Sequence, residues 1–229
     1  MSKSIDKNTA IIIPVHNEAP VIGSVVSSVL EHYKYVVCVN DGSVDNSAAE
    51  IMKTSAYLVD HPINMGQGAA LQTGIEFARQ LPVDCFVMFD ADGQHRIGDA
   101  QKMVKELKRG DWDIILGSRF LGSAEGIKKS KERILKLAVK FSNFTSGVRL
   151  TDTHNGLRAF NRHVAETIKI TMPDMSHASE ILEIISSQKY RYKEIPVTID
   201  YSEYSMAKGQ SVINAVNIVF DMLLRKVSR

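Results

Sequence analysis

Cysteine is scarce: Cys38 and Cys85 are the only two in 229 residues, and each lies inside an apolar run that reads as a strand. A disulfide framework is thereby excluded, both thiols are expected to be small buried hydrophobes, and a reducing compartment fits. Long apolar runs are missing too. No stretch approaches the roughly 18 uninterrupted apolar residues of a membrane span, and the most lipid-like segment, 212–224, is broken by Asn214, Asn217 and Asp221. Residues 1–9 are polar and offer no apolar h-region, so a signal peptide is not expected and the predicted location is cytoplasmic. Neither sign of charge is in excess, since 28 Lys and Arg face 26 Asp and Glu. Without a long basic block, nucleic acid is not an expected partner and any attraction for anions must be local. What is present, 44% hydrophobic and 24% charged residues, is the profile of one compact domain spanning 1–229.

From 10 to 118 the pattern repeats a short β-branched run, a polar turn and a helical period. Strands are expected at 10–15, 35–39, 56–59, 85–89 and 114–116, with helices at 20–31, 45–53, 67–80 and 98–109. Such alternation predicts an α/β fold, a Rossmann-like, mostly parallel sheet with helices on both faces. After Phe120 the regularity breaks. A loop at 121–131, a helix at 132–144, and a smaller mixed region with strands near 157–160 and 192–199 around a helix at 177–188 are expected. An amphipathic helix at 211–225 closes the chain.

In a parallel sheet, ligands bind beyond the carboxyl ends of the strands, and four of these five strands end in polar or charged residues. Asp90, Asp92 and Gln94 are spaced by two, so on an extended chain they project to one side. Two carboxylates and an amide oxygen suit Mg²⁺ or Mn²⁺ completed by phosphate oxygens, and the alternative is a solvated acidic turn. Asn40-Asp41-Gly42-Ser43-x-Asp45 reads as a turn into a helix with Ser43 or Asp45 as cap, a role that does not need Asp41. Asn17 and Glu18 either face a ligand or start the next helix. Gly66-Gln67-Gly68 is not followed by Lys-Ser/Thr, and no Gly-x-Gly-x-x-Gly follows the first strand, which argues against nucleotide hydrolysis and dinucleotide redox chemistry. Pro14 to Glu18 also lacks the Gly-rich basic loop of a nucleotidyltransferase.

Together, Pro14-x-x-Asn17-Glu18, Asn40-Asp41-Gly42-Ser43-x-Asp45, Asn64-x-Gly66-x-Gly68, Asp90-x-Asp92-x-Gln94-His95 and Gly117-Ser118-Arg119 resemble family 2 glycosyltransferases. Within that family they are most similar to the dolichol-phosphate mannosyltransferase and polyprenyl-phosphate sugar transferase branch. The resemblance extends through Arg133, through 151–160 and through 194–197. It implies a GT-A fold, a nucleotide-sugar part at 10–119 and an acceptor part at 120–229. It also implies a UDP- or GDP-sugar donor, inversion at the anomeric carbon, and Mg²⁺ or Mn²⁺. By the resemblance Pro14, His16, Glu18 and Asp41 line the nucleoside pocket, Asp90 faces the donor, and Asp92 and Gln94 hold the metal. Arg119 and Arg133 match positions that hold an acceptor phosphate, for which guanidinium forks are suited.

Members that glycosylate sugar hydroxyls carry a Glu-Asp pair whose Asp is the general base, whereas here the region reads His177-Ala178-Ser179-Glu180. A phosphate acceptor needs no base, which favours polyprenyl phosphate at the cytoplasmic face of a membrane. Two alternatives stay open: a polysaccharide or cell-envelope transferase with Glu180 as base, Glu180 otherwise being a helix-surface carboxylate, and a non-catalytic nucleotide-sugar-binding protein. Met206 stands where the family has Arg, and Lys208 is expected to supply that charge beside the diphosphate. The last helix, with Val212, Val216, Val219 and Leu223 in one stripe, packs in the core, contacts the membrane peripherally, or meets a small membrane-protein partner.

Overall fold

The structure, a computed structural model, describes residues 5–125, 146–173 and 176–201, with Glu132, Leu137, Val139, Lys140, Asn143 and Phe144 from the stretch between the first two. Arg133, Lys208 and the closing helix expected at 211–225 lie outside the described residues.

Seven strands form one sheet: β1 (Asp6–Val15), β2 (Tyr33–Asp41), β3 (Tyr57–His61), β4 (Cys85–Met88), β5 (Ile114–Glu125), β6 (Arg158–Asn161) and β7 (Tyr192–Asp200). Between them run α1 (Ile22–Leu30), α2 (Ser47–Met52), α3 (Gln67–Ala78), α4 (Ile97–Leu107), α5 (Arg162–Thr167) and α6 (His177–Ser187). The order is β3-β2-β1-β4-β6-β5-β7, and among the described strands only β6 runs against its neighbours. This is the expected α/β architecture.

Alternation along β1 builds both layers. Ala10 and Ile12 pack on one face with Leu71, Ile75, Phe86, Phe160 and Ile181, while Ile11, Ile13 and Val15 pack on the other with Ile22, Val26, Met103 and Val104. Cys38 and Cys85 are free and buried as expected; burial pushes their thiols up to about 12 and about 11, so they stay protonated and inert.

Two features place the site. The chain fills β2 and β3 on one side of β1 and then crosses to β4 on the other, so a switch point opens at the carboxyl ends of β1 and β4. Because β6 is antiparallel, its first residue, Arg158, pairs with Met88 at the carboxyl end of β4 and with Leu116, three residues before Arg119 on β5. The loop before β6 therefore reaches the same rim as the loops after β1, β2 and β4 and as the 117–119 stretch of β5.

Three expectations need correction. The loop expected from 121 is strand up to Glu125, paired with β7 after an irregularity between Ser118 and Ser123. Gly122 signals close strand approach there, not a turn: a Cβ on it would lie 2.1 Å from the Val197 carbonyl oxygen. Helix α5, unexpected because it is only six residues long, starts at Asn161, whose side chain accepts from the Val164 N–H at 2.9 Å. Finally, residues 91–93 turn, with Gly93 at φ +76°, so the extended-chain argument for Asp90, Asp92 and Gln94 does not apply; Asp92 Oδ1 instead accepts from the Gln94 N–H at 3.0 Å.

Candidate active site

Side chains stitch the end of β1 to the end of β2. Ser43 Oγ accepts from the Asn17 N–H (2.9 Å), Ser47 Oγ from the Glu18 N–H (2.8 Å) and Asp45 Oδ2 from the Ala19 N–H (3.0 Å), while Asn17 Oδ1 accepts from the Val44 N–H (2.9 Å). Asp45 also accepts from the Ser47 N–H and so works near the start of α2, whereas Ser43 is spent across the gap. Asn17 takes a left-handed φ of 55°, which Asn tolerates better than most residues. The exposed His16 ring lies 2.7 Å from the Asp41 carbonyl oxygen through Nδ1, and its Nε2 meets the side-chain amides of Asn17 and Asn64. Pro14 is buried within β1, paired with Val39.

Asp41 stands at the rim, at the carboxyl end of β2, with its carboxylate turned into the loop that follows β3. It is buried, with Oδ1 against His61 Nδ1 and the Met65 N–H and Oδ2 against the Gly66 N–H, all at 2.8 Å. Its carboxylate therefore shapes the 61–66 loop, and its carbonyl is what reaches His16. Asn40 donates to Asp60 at 2.6 Å.

Asp90 and Asp92 sit at the end of β4 in contrasting fields. Burial opposes charge on Asp90, yet the His95 ring, whose Nε2 lies 2.8 Å from Oδ2, and behind it His177 and Arg158, hold its carboxyl below the ordinary range. Gln67 donates to the other oxygen at 3.3 Å. Gly156 presses against the carboxylate so closely that a Cβ there would lie 2.2 Å from Oδ2. Asp92 has no comparable support, and burial and then repulsion from Asp90 push it up to about 6. A carboxylate destabilised in this way favours a nearby cation. The donor set fits a hard divalent ion, although no group of three His, Cys, Asp or Glu able to hold a metal occurs among the described residues. An ion here would need oxygens from a bound phosphate or water.

Arg119 is 10% exposed and fixed in orientation. Its Nε donates to Asp152 Oδ2 at 2.6 Å, Nη1 to the Tyr201 hydroxyl at 3.0 Å and Nη2 to the His154 carbonyl at 3.0 Å. Three of its five N–H donors are thus committed, a rigid fork with two donors left for a ligand. Asp152 is itself held, because Glu194 accepts from the Thr151 and Asp152 N–H groups at 2.8–3.0 Å. Arg158, 2% exposed, lies in the fields of Asp90 and Asp152, and its Nη1 has no partner among the described residues. Burial lowers it to about 10.

Glu180 is neither a surface carboxylate nor a free one. It is buried and accepts from the Thr171 N–H and hydroxyl and from the Met172 N–H at 2.5–3.0 Å, tying α6 to the segment before it.

Residue reasoning assigned no role to His95, Asp152, Arg158, His177 or Glu194. A signal existed for Arg158, a charge inside the apolar run 157–160. His95, Asp152 and Glu194 stood in the motif and stretches that carry the resemblance, without a role of their own; those roles, and that of His177, became visible only with the fold.

Burial, with Arg119, Arg158 and His177 nearby, drives His154 down to about 4 against the pull of Asp152. In the unfolded chain a histidine titrates near 6.5, so between about pH 6.5 and 4 the unfolded state takes up a proton that the folded state refuses, and stability falls with pH. Across that window the protein should lose up to about 3 kcal/mol more than a His154→Gln variant in urea denaturation; parallel curves would count against the buried neutral ring.

A family model described as glycosyl transferase family 2 matches residues 10–169. The UDP-N-acetylglucosamine–dolichyl-phosphate N-acetylglucosaminyltransferase of Methanococcus voltae is 30% identical, with 98% of each chain covered. The polyprenol monophosphomannose synthase of Mycolicibacterium smegmatis is 24% identical over 88% of this chain and 81% of its own. Glucosyl-3-phosphoglycerate synthase from Mycobacterium tuberculosis, solved with Mn²⁺ and UDP-glucose, superposes with a TM-score of 0.73 over 97% of this chain and 78% of that one. At 14% identity that likeness concerns the fold, which is GT-A.

Proposed function

The chain belongs to glycosyl transferase family 2 and is a glycosyltransferase, and we propose that it transfers a sugar from a nucleoside diphosphate sugar to a polyprenyl phosphate, with inversion, as a peripheral protein at the cytoplasmic face of a membrane. The observation that carries the choice of acceptor is the state of Glu180. Three donors occupy its carboxylate, so the side chain best placed in sequence to deprotonate a sugar hydroxyl is committed to structure. A phosphate acceptor, largely ionised at neutral pH, attacks without a base. The dolichyl-phosphate acceptor named for the Methanococcus voltae relative supports the same choice.

In this proposal the loops at 14–18 and 41–47 cradle the nucleoside through His16, Glu18 and the backbone that Asp41 shapes. Asp92 and Gln94 hold Mg²⁺ or Mn²⁺, which when bound neutralises charge on the departing diphosphate. Asp90, pinned by His95 and pressed by Gly156, fixes the turn that carries Asp92 and faces the donor. Arg119, steadied by Asp152, points its two remaining donors at the acceptor phosphate, with Arg133 as second cation. Lys208 balances the donor diphosphate. Orientation of two anions for in-line attack is then the chain's main contribution to rate.

Incubation with radiolabelled nucleotide sugars should give product with bare polyprenyl phosphate and none with a lipid-linked saccharide. The reverse pattern would sink the proposal. Glu180→Gln should keep transfer within about threefold of the parent, whereas loss of a general base costs about 10²–10⁴-fold.

A further inference from the structure

The end of β7 touches both halves of the site. On the donor side, the Asp200 N–H donates to the Gln94 carbonyl at 3.0 Å, Ile199 forms an antiparallel bridge with His95, and the Thr198 N–H donates at 2.7 Å to Asp99 in the first turn of α4. Arg96, the residue before α4, closes the junction. Its Nε and Nη2 donate to Asp200 Oδ2 and Oδ1 at 2.7 and 2.6 Å, a bidentate fork between residues 104 positions apart. That fork holds the Asp200 carboxyl below its ordinary range. On the acceptor side, the next residue, Tyr201, packs on the layer that contains Val197 and Ile199 and accepts from Arg119 Nη1 at 3.0 Å. Asp152 and the His154 carbonyl hold Nε and Nη2 of the same guanidinium. Two contacts alone leave a planar group free to hinge about the line joining them, and the Tyr201 hydroxyl, as the third, fixes the plane.

Stability does not explain the fork. The Arg96 and Asp200 side chains are 46% and 41% exposed, and an ion pair facing water contributes little to the fold. Two parallel bonds instead fix the orientation of what they join, where a single bond would pivot. We propose that Arg96 and Asp200 are positioning residues for Arg119, which lock the end of β7 to the turn that carries Asp92 and Gln94. The inference rests on the proposed function for the identity of the two ligands, and on the hydrogen bonds for the path between them. With the donor side occupied, the turn is fixed, the turn fixes Asp200 and Tyr201, and the two uncommitted donors of Arg119 are already aimed when the acceptor phosphate arrives. A link of this kind is reciprocal and typically changes affinity by about 5–150-fold.

Calorimetry on the full chain measures it through the affinity for a short, water-soluble prenyl phosphate, first without metal and nucleotide, then with Mn²⁺ and whichever of UDP and GDP raises the unfolding midpoint. The parent should bind the prenyl phosphate at least about fivefold more tightly in the second condition. In Arg96→Ala that gain should fall below about twofold, with the unfolding midpoint within about 4 °C of the parent. Arg96→Lys, which keeps the charge but not the fork, should recover part of the gain, and Tyr201→Phe should lose it with nucleotide affinity unchanged. A parent without the gain, or a gain that survives intact in Arg96→Ala or Tyr201→Phe, would overturn the inference. So would a midpoint of Arg96→Ala far below that range, since the pair would then serve the fold. A parent that binds no prenyl phosphate in either condition would reject the acceptor proposal, and the same ratio read with a lipid-linked saccharide would then decide the role of Arg96 and Asp200.

Discussion

An Asp92→Asn variant is expected to lose transfer activity by about 10²–10³-fold while folding at least as stably as the parent, the loss being of the size seen when one preorganised group that stabilises a transition state is removed. The two effects have one origin. Asp92 stands about two pKa units above an ordinary aspartate because burial and Asp90 disfavour its charge. In the unfolded chain it ionises near 3.8, and in the folded chain near 6, so stability declines as pH rises through that interval and stays lower above it. Allowing for partial exposure, the ionised side chain costs the fold about 1–2 kcal/mol at pH 7. Asparagine keeps the shape and removes that cost. Initial rates with labelled donor, beside urea denaturation at pH 7, read both effects. A variant that is destabilised would contradict the electrostatic picture, and one that turns over like the parent would remove Asp92 from the chemistry.

Much of this arrangement was legible from residue order, and the part that was not shares a physical cause. The β-branched runs and helical periods from 10 to 118 report burial of local neighbours, so β1 to β4 and α1 to α4 were located within a few residues at most boundaries. The strand-end motifs were legible for the same reason, since a parallel sheet gathers consecutive strand ends on one rim. Asp41 shows where that logic stops. Its place at the rim was foreseeable, but not the direction of its carboxylate into the 61–66 loop, because the Met65 and Gly66 N–H groups are 24 and 25 positions away. The Arg119, Asp152 and Glu194 set is more distant still, built on partners separated by 33 and 42 positions. No local period encodes it. The same holds for Gly122, which falls in the loop expected at 121–131, and for Gly156, which had no role assigned, until the neighbouring Val197 backbone and Asp90 carboxylate show that each excludes a Cβ.

That long-range set gives the largest expected effect on stability. Asp152→Ala should destabilise the protein by about 3–5 kcal/mol, the usual penalty for removing one member of a buried ion pair. Arg119 would keep its charge in a pocket that already contains Arg158, and its Nε and backbone N–H would both lose their acceptor. For a chain of this size the unfolding midpoint should fall by about 6–20 °C. Transfer activity should fall with it, which alone would not separate a positioning role from simple loss of fold. A double variant, Arg119→Met with Asp152→Leu, makes that separation. Replacing both partners by apolar residues of similar volume leaves no unpaired charge, so much of the lost stability should return. Activity should not return, because the two guanidinium donors left for the acceptor phosphate are gone. Recovery of transfer together with stability would mean that Arg119 and Asp152 serve the fold alone and that the acceptor phosphate is held elsewhere.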